Sequence, residues 1–404
     1  MKIAVWHNLP SGGGKRALYD HVKGLVKLGH HVESWCPQTA DQDFLSLKEV
    51  ISEHIVPLAL PEKIEDRLKS MEEHCRSCAL EINKGGFDLL FAGACTFFRT
   101  TPIAKYVQIP KVIYLGEPFR LFYEALPELP WAALPESKAH WWEIDSLKFF
   151  FTDWKRIQSF RVQLREEKLN AAAFDQILVN SFFSRESVMR AYGLDSSVCY
   201  LGVDPELFKP TGEKREKFVT GLGSVYVGKG IDRAIRAIET IDKSKRPNLM
   251  WIGNFSDWGY QKKMERLAES CGVTINFKIN IPHEEMVSLL SRSSALIYPS
   301  RLEPFGLAVL EANACGTPVV GIAEGGVRES VIEGENGILV PDVDSVKLGQ
   351  AIVKFSENLS LSSEMGKKAR NFVCEKWNID KAIKRLEEQL IELKDRPQKR
   401  TYSR

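Results

Sequence analysis

The sequence predicts an α/β protein built from two doubly wound parallel sheets, each in its own domain. Three observations carry this expectation. The chain has 404 residues, more than the roughly 250–300 at which a single hydrophobic core stops growing. Its opening reads strand, glycine loop, helix, strand. Two series of short apolar runs then alternate with helical stretches, one on each side of a turn-rich segment at 202–210.

Ile3, Ala4, Val5 and Trp6 form a continuous apolar run, as a strand buried on both faces of a parallel sheet requires. Ser11-Gly12-Gly13-Gly14 turns the chain, and Leu18, Val22, Leu25 and Val26 follow at helical spacing. Gly29 stands where a C-cap belongs, and 31–36 resumes strand character. Further strand runs fall at 88–92, 111–115, 176–179 and 198–201. A second series covers 217–221, 248–252, 273–277, 295–298, 317–322 and 337–340. Gly202-Val203-Asp204-Pro205 through Pro210 reads as the joint. The expected division is an N-terminal Rossmann-like domain over 1–205, a C-terminal Rossmann-like domain over 206–380, and a charged amphipathic helix and tail over 381–404. That last segment is expected to pack back on the N-terminal domain.

Composition excludes several function classes. Apolar residues make up 44% and charged residues 27%, a globular balance and not a disordered one. With 55 basic and 53 acidic side chains the formal charge is +2, which speaks against a dedicated nucleic-acid binder. Eight cysteines are too sparse for a disulfide scaffold, and no export signal opens the chain. Reduced thiols and a cytoplasmic location are expected. No apolar run reaches the roughly 18–20 residues of a membrane span; 89–98 comes nearest.

Gly12-Gly13-Gly14-Lys15-Arg16-Ala17 fits G-x-G-x-x-A, with Glu33 about twenty residues on. Three readings stand: a dinucleotide fingerprint, a structural tight turn, or another phosphate- or sugar-facing loop. Glu33 falls inside the second strand and not past its end, which weakens the first.

The strongest signal is EPFGLAVLEANACGTPVV over 303–320. Pro304 ends any preceding element, and 306–315 reads as a helix closed by Gly316 and Pro318. Its residues are apolar or small nearly all round, so it should be buried. Glu311 is its only charge, and an isolated buried carboxylate costs several kcal/mol. Glu311 is therefore either half of a structural ion pair or an acceptor for ligand hydroxyls. In the second case the amides of Phe305, Gly306 and Leu307 point at an anion from the helix N-terminus.

Glu303 and Glu311, eight residues apart, with the following Gly-Thr-Pro-Val-Val strand and the stretch 321–342, closely resemble the donor-binding domain of glycosyltransferase family 4. Lys229-Gly230-Ile231-Asp232 resembles that family's phosphate loop, and 201–210 its interdomain crossing. Asn180-Ser181-Phe182 and the Gly12–Gly14 loop resemble its N-terminal Asn-Ser turn and Gly-Gly loop. The resemblance implies the GT-B fold, two Rossmann-like domains facing a cleft. It further implies a retaining, metal-independent hexosyltransferase without a cofactor. The enzyme would take a nucleotide-diphosphate sugar (a UDP-sugar in preference to GDP-mannose) to a hydroxyl of a carbohydrate or lipid-linked acceptor.

By that resemblance Glu311 holds the nucleotide ribose, Glu303 and the 305–307 amides the donor sugar, Lys229 the pyrophosphate, and Gly13 and Gly14 the donor side of the N-terminal loop. Lys229 and Glu303 are the catalytic candidates; His7, Glu117 and Arg120 lie on the acceptor side. Two positions depart from the family: Gly223-Ser224 stands where a Gly-Arg pair grips the pyrophosphate, and Gly116 where an imidazole approaches the reacting sugar. Arg233, Lys15 or Arg16 are the candidates for the missing charge. The departures also motivate an alternative, a catalytically silent GT-B partner or glycan-binding subunit.

Other motifs read more plainly. Cys75-x2-Cys78 lacks a second pair at zinc-site spacing. Asp41-x-Asp43 and Asp342-x-Asp344 read as solvated loops, and His7 as a strand-end residue, structural or site-facing. Residues 114–160 hold twelve of the forty aromatic side chains. There Phe150, Trp154, Ile157 and Leu164 share one helical stripe, and 146–170 carry six basic and three acidic residues. This segment is either a core-packed helix or a peripheral membrane contact.

Overall fold

The structure, a computed structural model, describes residues 1–124, 144–341 and 343–396; for Leu121 and 144–150 it describes the backbone alone. The chain divides into two units. The first comprises Met1–Val179, Arg185–Val198 and Leu386–Arg404, the second Asn180–Ser184 and Cys199–Arg385.

The first unit holds seven parallel strands: β1 (Lys2–Asn8), β2 (His31–Cys36), β3 (Ser52–Ile55), β4 (Leu89–Cys95), β5 (Lys111–Tyr114), β6 (Gln176–Val179) and β7 (Ser197–Val198). Their order is β3-β2-β1-β4-β5-β6-β7, a doubly wound sheet that reverses direction beside β1. Ile3 to Trp6 are wholly buried, as the apolar run demands. The helix Gly13–Lys27 lays Leu18, Val22 and Leu25 on the sheet, and Gly29 (φ 86°) turns the chain back into β2. Strand β3 escapes sequence reasoning because Ser-Glu-His-Ile carries no apolar alternation, and it lies at the sheet edge. The end of the helix Ile379–Asp395 belongs to this unit. There Glu387 meets His30 at 2.7 Å and Gln389 accepts from Gln176 at 2.8 Å.

The second unit holds six parallel strands: β8 (Phe218–Leu222), β9 (Asn248–Gly253), β10 (Ile275–Ile279), β11 (Ala295–Tyr298), β12 (Val319–Ile322) and β13 (Gly337–Val340). Their order is β10-β9-β8-β11-β12-β13. Central β8 contains Gly221 because the Trp251 ring lies 2.2 Å from where its Cβ would stand. The helix Leu307–Ala314 is buried, and Arg370 and Arg215 donate to Ala314 O and Gly316 O at its C-terminal end, both at 2.6 Å. Those guanidinium groups satisfy carbonyls that the helix itself leaves open. No described helix is long and apolar enough to cross a membrane.

Candidate functional site

Lys229 and Glu303 come together at the C-terminal ends of β8 and β11. Lys229 closes the short 3-10 turn Val227–Lys229, and Glu303 precedes the helix Leu307–Ala314. The ammonium donates to both carboxylate oxygens, at 3.1 and 3.3 Å, and the two side chains keep 19% and 14% of their surface exposed. Burial penalises the Lys229 charge, but Glu303 and the phenols of Tyr298 and Tyr226 outweigh it and hold the pKa above its ordinary value. Burial first, then Glu303, pushes the Tyr298 phenol up, so it stays protonated. The pair is a fully charged, partly open site.

Two glycines admit the lysine. Gly223 would place a Cβ 3.3 Å from Lys229 Cδ, so the bare backbone makes room for the stem. Gly230 (φ 72°) has Pro299 O 2.6 Å from its Cβ position, which explains the glycine after Lys229.

The helix Leu307–Ala314 starts from Gly306 in the left-handed region (φ 89°) with no side-chain cap. The amides of Leu307 and Ala308 therefore lack intrahelical acceptors and carry the positive end of the dipole, while Val309 N donates to Gly306 O at 2.9 Å. The Phe305 side chain is core and packs on Tyr200 and Trp377, so only its backbone is available to a ligand. Glu311 lies one turn in and is 7% exposed. Burial first, and Glu311 second, push the Cys315 thiol up to about 12.

The loop 303–305 is held by residues that the sequence offered only inside wider motifs: Ser181 in the Asn-Ser turn, and Gly326, Glu329 and Ser330 in the stretch 321–342. Gly326 N donates to Glu303 O at 2.8 Å, and the Gly326 Cβ position lies 2.0 Å from Pro304 O. Ser181 Oγ donates to Pro304 O at 2.5 Å, and Ser330 Oγ to Phe305 O at 3.5 Å. Glu329 accepts from the amides of Phe182 and Phe183 and from Tyr200 Oη. A Gly-Gly pair twenty residues downstream was the available signal, and only the fold brings it beneath Glu303.

Ser224 donates to Asn254 Oδ1 at 2.9 Å. Of the three candidates for the missing charge, Arg233 donates to Pro299 O at 3.0 Å and Arg16 lies over the Phe44 ring. Lys15 is fully buried in the first unit.

In the first unit, Gly13 opens the helix Gly13–Lys27, and nothing lies within 4 Å of a Cβ at Gly12 or Gly13; Gly14 would meet Leu9 at 3.5 Å. Glu117 pairs with Arg99 at 2.5 Å and with Arg120 at 3.3 Å, and Arg120 also reaches Glu124 at 3.1 Å. The segment around them is tied down by Glu167, which is fully buried and accepts from Phe119 N at 2.8 Å and from Tyr192 Oη. Burial raises the Glu167 pKa to about 7, against the opposing pull of Tyr192, Phe119 and Arg99. His7 is fully buried and bonded to Glu53, and burial lowers its pKa.

Cys75 and Cys78 are buried on the helix Ile64–Lys84, with Thr101 and His74 as neighbours. Asp41 caps a turn through Asp43 N and Phe44 N. Asp344 caps the helix Ser345–Ser356, while Asp342 lies outside the described residues. Of the aromatic stripe, the Phe150 side chain lies outside the described residues. Trp154 and Ile157 are exposed on the helix Ile144–Ala172, and Leu164 is half-buried.

Residues 203–372 match the family model of glycosyl transferases group 1. Over 212 residues the chain is 28% identical to D-inositol 3-phosphate glycosyltransferase 1 of Catenulispora acidiphila, covering 47% of this chain and 51% of that protein. It is 30% identical over 199 residues to an uncharacterised glycosyltransferase of Methanocaldococcus jannaschii, with 49% and 54% covered. The chain thus spans about half the length of the curated relatives it matches. Among solved structures, sucrose-phosphate synthase of Thermosynechococcus elongatus superposes with a TM-score of 0.74 at 19% identity, covering 97% of this chain and all of that one. Anabaena HepE in complex with UDP and glucose gives 0.72 at 18% identity with the same coverage. At these identities the likeness concerns the fold, and the fold is that of the GT-B glycosyltransferases.

Proposed function

We propose that the chain is a retaining hexosyltransferase that takes a hexose from a nucleotide-diphosphate sugar, a UDP-sugar in preference to GDP-mannose, to a hydroxyl of a carbohydrate or lipid-linked acceptor. The observation that carries this reading is the Lys229–Glu303 pair beside the uncapped N-terminus of the helix Leu307–Ala314, inside the segment that matches group 1 glycosyl transferases. Lys229 meets the pyrophosphate, where negative charge grows as the glycosidic bond breaks. The amides of 305–307 and Glu303 hold the sugar, and Glu311 accepts from the ribose hydroxyls. The departing phosphate takes the acceptor proton, so no enzymic base is required, and Lys229 with the 305–307 amides supplies the charge stabilisation that a divalent cation would otherwise bring. Glu117 and Arg120 stand on the acceptor side, and the exposed Trp154 and Ile157 are the groups that would touch a membrane carrying a lipid-linked acceptor. Gly13 and Gly14 line the donor side of their loop.

The test is transfer from UDP-, GDP- and ADP-hexoses to simple glycoside and lipid-linked acceptors, with the product anomer read by NMR. Retention with a UDP-sugar is expected, and inversion would overturn the mechanism. Ser224 bonded to Asn254 in place of a pyrophosphate-gripping Arg favours one second reading, a silent GT-B subunit. UDP binding without turnover of any donor would decide for it.

A further inference from the structure

Three neighbouring strands of the first unit bring a nitrogen, a sulfur and an oxygen donor together. Trp6 of β1 pairs with Trp35 of β2, so the next residues, His7 and Cys36, stand side by side. Cys36 pairs with Ile55 and Ser34 with Glu53, which puts Glu53 on the same sheet face as Cys36, two residues back along β3. His7, Cys36 and Glu53 offer ligating atoms that all lie within 4.8 Å of one another. The side chains of His7 and Glu53 are wholly shielded from solvent, and so is Cys36.

We propose that His7, Cys36 and Glu53 form a binding site for a thiolate-accepting divalent cation of the zinc class, built into the N-terminal sheet and separate from the Lys229–Glu303 site. The His7 Nε2 to Glu53 Oε1 distance is 3.0 Å. Two ligands at roughly 2.0–2.1 Å from a tetrahedral zinc ion stand about 3.3 Å apart, so this edge is nearly formed before any ion enters. Glu53 Oε2 has no hydrogen-bond partner among the described residues, and buried polar atoms left that way are rare in native proteins. Supporting bonds orient the ligands as outer-shell groups do in metal sites: Ser34 Oγ donates to Glu53 Oε1 at 3.3 Å and Gln42 Nε2 to Cys36 Sγ at 3.5 Å. The ion displaces the Cys36 thiol proton to solvent. A dication with one thiolate, one carboxylate and a neutral imidazole is then locally neutral.

Lys15 makes this account sharper. Its ammonium is fully buried at the start of the helix Gly13–Lys27 and has no hydrogen-bond partner among the described residues. It serves as the countercharge of Glu53 when no ion is bound and repels an ion that is. Lys15→Met should therefore tighten binding.

The experiment is titration of the full chain, stripped with chelator and kept reduced, with Co²⁺ alone and then with Zn²⁺. The expected result is a near-ultraviolet thiolate-to-cobalt charge-transfer band that saturates at one equivalent and is abolished by Zn²⁺. The band should vanish in Cys36→Ala, weaken in Glu53→Gln and saturate at lower Co²⁺ in Lys15→Met, each variant checked for native circular dichroism. Glu53→Gln keeps the size of the side chain, so it reports even where Cys36→Ala fails to fold. No band from folded wild-type protein, a band that persists in Cys36→Ala, or binding weakened in Lys15→Met would each overturn the proposal.

Discussion

The two units solve the same problem, placing charge at the ends of parallel strands, in opposite ways. In the second unit Lys229 and Glu303 satisfy each other at 3.1 Å and remain partly exposed. In the first, the side chains of His7, Glu53 and Lys15 are shielded from solvent, and an atom of each has no hydrogen-bond partner among the described residues. The pair keeps its full charge and part of its surface in contact with solvent, so it can exchange its partner for a charged ligand. The buried cluster has no such freedom: its groups have already left water, and burial lowers the pKa of both His7 and Lys15.

Substitutions can break this contrast. The largest effect is expected for Lys229→Ala, which should lower kcat by roughly 10²–10³, as removal of a single electrostatic stabiliser does. Melting temperature should also fall, because Glu303 is only 14% exposed and loses the cation that balances it; steady-state kinetics with a UDP-sugar checks the first effect and thermal melts the second. Next comes Gly326→Ala. Its Cβ would lie 2.0 Å from Pro304 O and must move the 303–305 loop. Turnover should fall by up to about 10²-fold, as ångström-scale misplacement does, with a stability loss of about 1–3 kcal/mol from overpacking. Glu311→Gln should weaken donor binding about 10- to 150-fold through lost charged hydrogen bonds worth roughly 1.5–3 kcal/mol. A sharp drop in melting temperature with unchanged affinity would make Glu311 a structural group instead.

The smallest effect tests the first unit. Glu167 has a folded pKa of about 7, raised by burial above the ordinary carboxylate value. Between that ordinary value and about 7 the folded state binds the extra proton, so wild-type stability falls as pH rises through this window. Glu167→Gln mimics the protonated acid and can still accept from Tyr192 and Phe119. It should match or exceed the wild type at pH 8 and lose that advantage as pH falls below about 5. Urea melts at several pH values measure this, and a pH-independent difference would contradict it.

Much of this molecule is legible in its sequence, for physical reasons that also mark where legibility ends. Buried parallel strands such as Ile3–Trp6 announce themselves as apolar runs, and the helix at 307–314 by its lack of polar residues around one lone glutamate. Edge strand β3 is silent because an edge does not demand apolar side chains on both faces. That silence hides Glu53, and with it the partner of His7. Lys229, Glu303 and Glu311 were found through local motifs. Tyr298 was not, and Ser181 and Gly325-Gly326 appeared only inside wider motifs, because what they do depends on contacts between segments far apart in the chain.

The most direct test of the central claim, that the second unit carries the nucleotide-sugar site, is the thermal shift given by UDP and UDP-hexoses. At one hundred times its dissociation constant a ligand should stabilise the wild type by about 2.7 kcal/mol. The same concentration should shift Lys229→Ala and Glu311→Gln much less, and Glu53→Gln as much as the wild type. An equal shift in Lys229→Ala and Glu311→Gln, or no shift with any UDP, GDP or ADP sugar, would contradict the account.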